Sequence, residues 1–214
     1  MVLNPLRLAL QRVVLAPWGK PLLWVLCAWP ALALWSAALA DQLGANPAEA
    51  LIRGLGDWAL RFLCLALAVT PLRMGLGVPA LARWRRSLGV TVWAYALLHA
   101  MAYAWLDQGW DMAEVLGDVW KRPFILVGTL AMLILSALAA TSFNSAVRRL
   151  GAQRWRRLHQ AVYGVAALSV LHFWWMRAGK NDFTEVWLYG AVLAGLLAWR
   201  VWHHWRSLRQ TNRA

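Results

Sequence analysis

Six stretches of about 20 mainly apolar residues divide this chain, each long enough to cross the hydrocarbon of a bilayer as a helix. They cover residues 21–40, 54–72, 88–106, 123–142, 158–176 and 186–203. The runs are continuous and rich in Leu and Ala. They lack the alternation of a membrane barrel strand, so helices are expected. Short polar or Gly/Pro-bearing stretches join them, such as residues 73–87 with Gly75, Gly77 and Pro79. Composition agrees, with 61% hydrophobic and 14% charged residues, where a soluble domain carries about a quarter charged. No nucleotide loop, linker, soluble second domain or obvious repeat stands out. Residues 1–214 read as a single transmembrane domain, an all-α bundle of six spans.

Charge sets the orientation. With the N-terminus placed inside, 16 of the 22 Lys and Arg residues, from Arg7 to Arg213, fall in inner segments. All nine acidic residues fall outside with the other six basic ones, Lys180 among them, giving +16 inside and −3 outside. Every short inner segment obeys the positive-inside rule, so both termini are expected in the cytoplasm. The high isoelectric point therefore reads as membrane topology and not as nucleic-acid binding. The chain is expected to be a multi-pass membrane protein.

Three details qualify the pattern. Ala38-Leu39-Ala40 before Asp41 resembles a signal-peptidase site, although the first span is long, Trp-rich and preceded by about 20 residues. Arg61 stands one turn from Asp57, where an i,i+4 ion pair is expected. Cys27 and Cys64 lie within spans and read as small apolar packing residues.

The histidines carry the chemistry, because an ionisable residue inside a membrane is costly. His99 lies in the third span, within Tyr95-Ala96-Leu97-Leu98-His99. His159 opens the fifth span, and His172 lies near its end in Val170-Leu171-His172-Phe173-Trp174. At 1.5 Å per residue, His99 sits about 16 Å and His172 about 21 Å from the inner ends of their spans. Both belong to the outer half at similar height, and His159 lies roughly 20 Å below, at the inner edge. Two imidazoles at one height on two helices suit the two axial positions of a haem. Ala161, Gly164, Ala166 and Ala167 leave room for a flat macrocycle. A lone membrane His more commonly bonds a neighbouring helix or relays protons, so a proton-coupled transporter is the alternative. A di-iron oxidase would need clustered His motifs, and only His203-His204 are adjacent. That pair, beside Trp202, Trp205 and Arg206, reads as an interfacial anchor.

A three-His, six-helix pattern resembles the ferric-reductase-like transmembrane group, whose helices carry His pairs 13 or 14 residues apart to stack two haems. His159 and His172 show that spacing. The third span departs from it, because the inner position opposite His99 holds Arg85 or Arg86. The outer pair alone is complete, and an inner haem would need a non-His partner for His159.

The segments Thr70-Pro71-Leu72-Arg73, Arg83-Trp84-Arg85-Arg86-Ser87-Leu88-Gly89, His99-Ala100-Met101-Ala102-Tyr103, Lys121-Arg122-Pro123-Phe124 and Trp155-Arg156-Arg157-Leu158-His159-Gln160-Ala161-Val162-Tyr163 narrow the match. They resemble the MsrQ (YedZ) family over nearly the whole chain. The resemblance implies a haem b membrane subunit that passes electrons to a periplasmic molybdopterin methionine sulfoxide reductase, MsrP. It also implies FMN, and a quinone pool or flavin reductase as donor. Under it, His99, His172 and His159 are the expected metal ligands. Arg85 and Arg86 are expected to meet haem propionates or a flavin phosphate. No catalytic residue is expected, since no span holds a Ser/His/Asp set or a carboxylate pair. The outer loop 107–122, with Asp111, Glu114 and Asp118, is the expected partner dock.

Overall fold

The structure is a computed structural model that describes residues 5–179 and 181–211; Lys180 and Arg213 lie outside the described residues. It is helical throughout: α1 (Pro5–Leu15), α2 (Gly19–Leu39), α3 (Pro47–Leu76), α4 (Trp84–Leu106), α5 (Met112–Lys121), α6 (Pro123–Ala140), α7 (Asn144–Leu150), α8 (Ala152–His159), α9 (Val162–Ala178) and α10 (Thr184–Thr211). A short 3₁₀ segment, Pro79–Arg83, leads into α4.

Four of these segments are long and apolar enough to cross a membrane: Gly19–Leu39, Pro47–Leu76, Pro79–Leu106 and Pro123–Ala140. The last two expected spans correspond to α9, only 17 residues long, and to α10, which mixes apolar turns with Arg200, Arg206 and Arg209. Large apolar side chains face outward around the helices, Trp29, Leu32, Leu133 and Trp187 among them, each more than 60% exposed. In water such a surface would aggregate; against lipid tails it is matched to its solvent.

Local chemistry explains the helix ends and irregularities. Asn46 caps α3 by accepting from the Glu49 N–H, with Pro47 at the first helical position. The helix stops at Gly77, whose φ of 62° lies in the left-handed region. Within α2, Pro30 disturbs the backbone ladder. The Tyr95 hydroxyl of α4 enters there, accepting from Ala31 N–H at 2.9 Å and donating to the Cys27 carbonyl at 2.7 Å.

Two antiparallel pairs, α3 with α4 and α6 with α9, form the centre, and α10 packs on both α3 and α9. Buried Leu55, Leu63, Leu67, Val165 and Leu193 join them in one core. Where lipid is the solvent, such contacts hold helices together by packing more than by hydrophobic transfer. Cys27 and Cys64 are both free thiols, Cys27 buried in this core.

Two local expectations need correction. No ion pair joins Asp57 to Arg61 among the described residues; Arg61 Nε donates to the Tyr189 hydroxyl of α10 at 2.9 Å, and its guanidinium lies 4.8 Å from the Trp58 ring centre. Burial against α10 offers it a hydroxyl that its own helix does not. The i,i+4 pair at this end is Arg53 with Glu49, at 2.6 Å. In addition, His159 does not open a continuous fifth span. It ends α8, and Gln160 and Ala161 form a turn before α9. The Ala161 N–H bonds Leu158 at the tighter i−3 spacing, which steps the helix axis without proline or glycine.

Candidate functional site

His99 on α4 and His172 on α9 come together, with ring centres 6.1 Å apart and planes at 83°. The similar heights counted along the two helices agree with this closeness.

Each ring is held the same way. His99 Nδ1 lies 2.8 Å from the Ile52 carbonyl of α3. His172 Nδ1 lies 2.6 Å from the Phe124 carbonyl of α6. A carbonyl oxygen only accepts, so Nδ1 carries the proton in both rings and donates it. That leaves Nε2 of each as the unprotonated nitrogen with a lone pair. Close approach depends on glycine: a Cβ at Gly56 would lie 3.1 Å from His99 Nδ1, and one at Gly128 would lie 2.8 Å from His172 Nδ1.

The residues present fit a haem. Among the described residues, no three His, Cys, Asp or Glu side chains gather as a metal cluster. A metal held here by two imidazoles needs its remaining donors from elsewhere, and a porphyrin brings four of its own. An imidazole nitrogen sits about 2 Å from a bound metal ion, which puts two rings on opposite faces of one iron about 6 Å apart, centre to centre. The observed spacing matches.

His159 is not brought to this pair. It stacks on Trp155, ring centres 4.0 Å apart, and its Nε2 lies 3.1 Å from the Thr141 hydroxyl. Trp155 Nε1 donates to the Thr141 carbonyl at 2.8 Å, closing this corner. Arg85 and Arg86 lie within electrostatic range of His159. Arg86 donates to Asn144 Oδ1 at 2.6 Å, and Arg85 lies near Arg73, Arg200 and Tyr163. This is a basic corner, separate from the His99–His172 pair. His203 lies against Trp199 on α10, ring centres 5.2 Å apart.

In segment 107–122, the expected partner dock, two of the acidic residues are engaged within the fold. Asp111 caps α5 by accepting from the Ala113 and Glu114 N–H groups. Asp118 is buried and accepts from the Tyr103 hydroxyl at 2.5 Å and from Gln108 at 3.1 Å, with Arg122 at 3.3 Å. Glu114 lies 3.8 Å from Lys121, and Asp107 is exposed at the start of the segment. The segment also exposes an apolar stripe, Met112, Leu116 and Trp120, spaced four residues apart along α5.

Sequence reasoning missed Ile52, Phe124, Gly56 and Gly128. Two of these act through backbone carbonyls, which no residue type advertises. The glycines were a usable signal, since mid-helix glycine costs about 1 kcal/mol against alanine and calls for a reason.

The family model described as "Ferric reductase like transmembrane component" matches residues 55–170, from within α3 to the middle of α9; it includes His99 and His159 and ends two residues before His172. The chain is 54% identical over 200 residues to the "Protein-methionine-sulfoxide reductase heme-binding subunit MsrQ" of Polaromonas naphthalenivorans, covering 94% of this chain and 91% of that protein. It is 48% identical to the protein of the same name from Ralstonia nicotianae, covering 87% and 86%. The corresponding protein of Caulobacter vibrioides is 40% identical, covering 89% and 90%. No solved structure matches the chain. A duplicated histidine cradle inside a helical membrane core, together with identity at this level over nearly the full length, places the chain in the MsrQ family of ferric-reductase-like transmembrane proteins.

Proposed function

We propose that this chain is the haem b subunit of a methionine sulfoxide reductase system, with His99 and His172 as the axial ligands. The observation that carries the proposal is the pairing itself: two imidazoles 6.1 Å apart, each tied at Nδ1 to a backbone carbonyl and so presenting a basic Nε2. Bound there, haem supplies one-electron carriage between ferric and ferrous iron. The chain's own residues fix the ligand tautomer, keep the site within an apolar bundle and set its depth.

In this proposal six spans cross the bacterial inner membrane with both termini in the cytoplasm, as the charge bias requires. The His99–His172 pair then lies toward the periplasm, where a molybdopterin partner of the MsrP type collects electrons to repair oxidised periplasmic proteins. The inner corner of His159, Arg85 and Arg86 lies where electrons enter from a quinone or a flavin reductase. Arg85 and Arg86 suit haem propionates or a flavin phosphate there. FMN rests on the family resemblance alone.

The test is the visible spectrum of the purified protein, oxidised and dithionite-reduced, for wild type and for His99→Ala, His172→Ala and His159→Ala. Low-spin b-type bands that collapse in the His99 and His172 variants establish the ligands. Haem-supplied protein without such bands, or with bands indifferent to both substitutions, overturns the assignment and favours a transporter.

A further inference from the structure

The ligand pair is supported by a device that occurs twice. On α3, the Ile52 carbonyl receives His99, and Gly56 follows four residues later. On α6, the Phe124 carbonyl receives His172, and Gly128 follows four residues later. The histidine stands 47 residues after its carbonyl in the first case and 48 in the second. The chain thus carries the same unit in both hairpins, α3/α4 and α6/α9, although no repeat is visible in its letters.

Helix geometry explains why glycine stands at that spacing. The carbonyl of residue i already accepts the N–H of residue i+4. Its second lone pair remains available to a side chain from another helix. The Cβ of residue i+4 tilts toward the helix N-terminus and so overhangs that carbonyl. A side chain there would occupy the place of the imidazole. At Gly56 an added Cβ meets His99 Nδ1 at 3.1 Å and Cε1 at 3.2 Å; at Gly128 it meets His172 Nδ1 at 2.8 Å and Cε1 at 2.9 Å.

We infer that Gly56 and Gly128 are positioning residues for the two axial ligands, opening the Ile52 and Phe124 carbonyls so that these fix the Nδ1–H tautomer and the ring rotation of His99 and His172. The inference rests on the ligand assignment above. A hydrogen bond from Nδ1 orients a ligating imidazole and raises its basicity. Losing it weakens the ligand and disfavours the ferric state, so the midpoint potential rises.

The experiment compares full-length wild type with Gly56→Ala and Gly128→Ala, each loaded with haem. The controls are Gly75→Ala and Gly195→Ala, where an added Cβ meets nothing within 4 Å. Haem retention, the g-values of the ferric haem and the midpoint potential are read. Gly128→Ala is expected to retain haem about tenfold less well, as when an outer hydrogen-bond partner of a metal ligand is lost. Gly56→Ala, with the looser contact, keeps haem with shifted g-values and a raised potential. Both controls match wild type.

Wild-type retention, g-values and potential in both cradle variants, while His99→Ala and His172→Ala lose haem, overturn the inference and leave the ligand assignment standing. Histidine variants that keep the bands overturn both. Should Gly128→Ala fail to fold, histidine-selective 15N NMR of the wild-type membrane protein decides. Protonated Nδ1 in both rings, coupled to the Ile52 and Phe124 carbonyl carbons, upholds the cradle, and an unprotonated Nδ1 in either removes it.

Discussion

Arg200 of α10 donates from Nη2 to the Leu67 carbonyl of α3 at 2.6 Å. Four residues beyond Leu67 stands Pro71, which has no N–H to give that carbonyl. The guanidinium therefore completes a helix ladder that proline interrupts, and its Nη1 donates to the Tyr163 hydroxyl of α9 at 3.1 Å. One side chain links three helices.

Arg200→Met is accordingly expected to destabilise the protein by about 1–3 kcal/mol, the cost of leaving a buried acceptor unpaired. In a Pro71→Ala background the backbone supplies its own donor, and the same substitution should cost clearly less. A double-mutant cycle in detergent unfolding measures the coupling; equal costs in both backgrounds would separate Arg200 from the proline.

Tyr95 plays the corresponding part beside Pro30. Tyr95→Phe removes two hydrogen bonds, to Ala31 N–H and the Cys27 carbonyl, while keeping the ring packed on Phe62, 5.0 Å away. Thermal unfolding should show a loss of about 1–3 kcal/mol, with α2 protected less against hydrogen exchange between Cys27 and Ala31.

Beside the turn between the two helices, Asp118 ties α5 to α4 through the Tyr103 hydroxyl. Asp118→Ala should free α5, seen as faster proteolysis of segment 107–122. Asp118→Asn keeps an acceptor for Tyr103 and loses only the ion pair with the half-exposed Arg122, which is worth little in such a setting. It should therefore cost less than alanine.

His159→Ala should leave the bands of the His99–His172 haem in place, because His159 engages Thr141 and Trp155 instead. Reduction by a membrane quinol or a flavin reductase should slow while dithionite still reduces the haem. A partial loss of the bands would instead reveal a second haem at the inner corner.

Much of this arrangement was legible in the sequence because membranes impose lengths and charge bias that can be counted. Counting along helices placed His99 and His172 level, and they meet. The same counting assigned Arg200 only to inner charge, although it completes the ladder at Pro71. It carried helix through Gln160–Ala161, where no breaker residue marks the turn. Short α1, α5, α7 and α8 lie below the length at which apolar windows speak. Asp118 was read as part of a partner dock because its own partner, Tyr103, is 15 residues away.

The two cradles also divide the labour of building the site. Each imidazole donates its Nδ1–H to a carbonyl of its own hairpin, which fixes its tautomer and rotation, so ligand orientation is internal to each half. The gap between the rings depends on how the halves meet, where Trp93 Nε1 of α4 donates to Ser136 Oγ of α6 at 3.1 Å. Angle and distance are thus set by different atoms, and the chain can adjust the spacing at this seam while both imidazoles keep their aim.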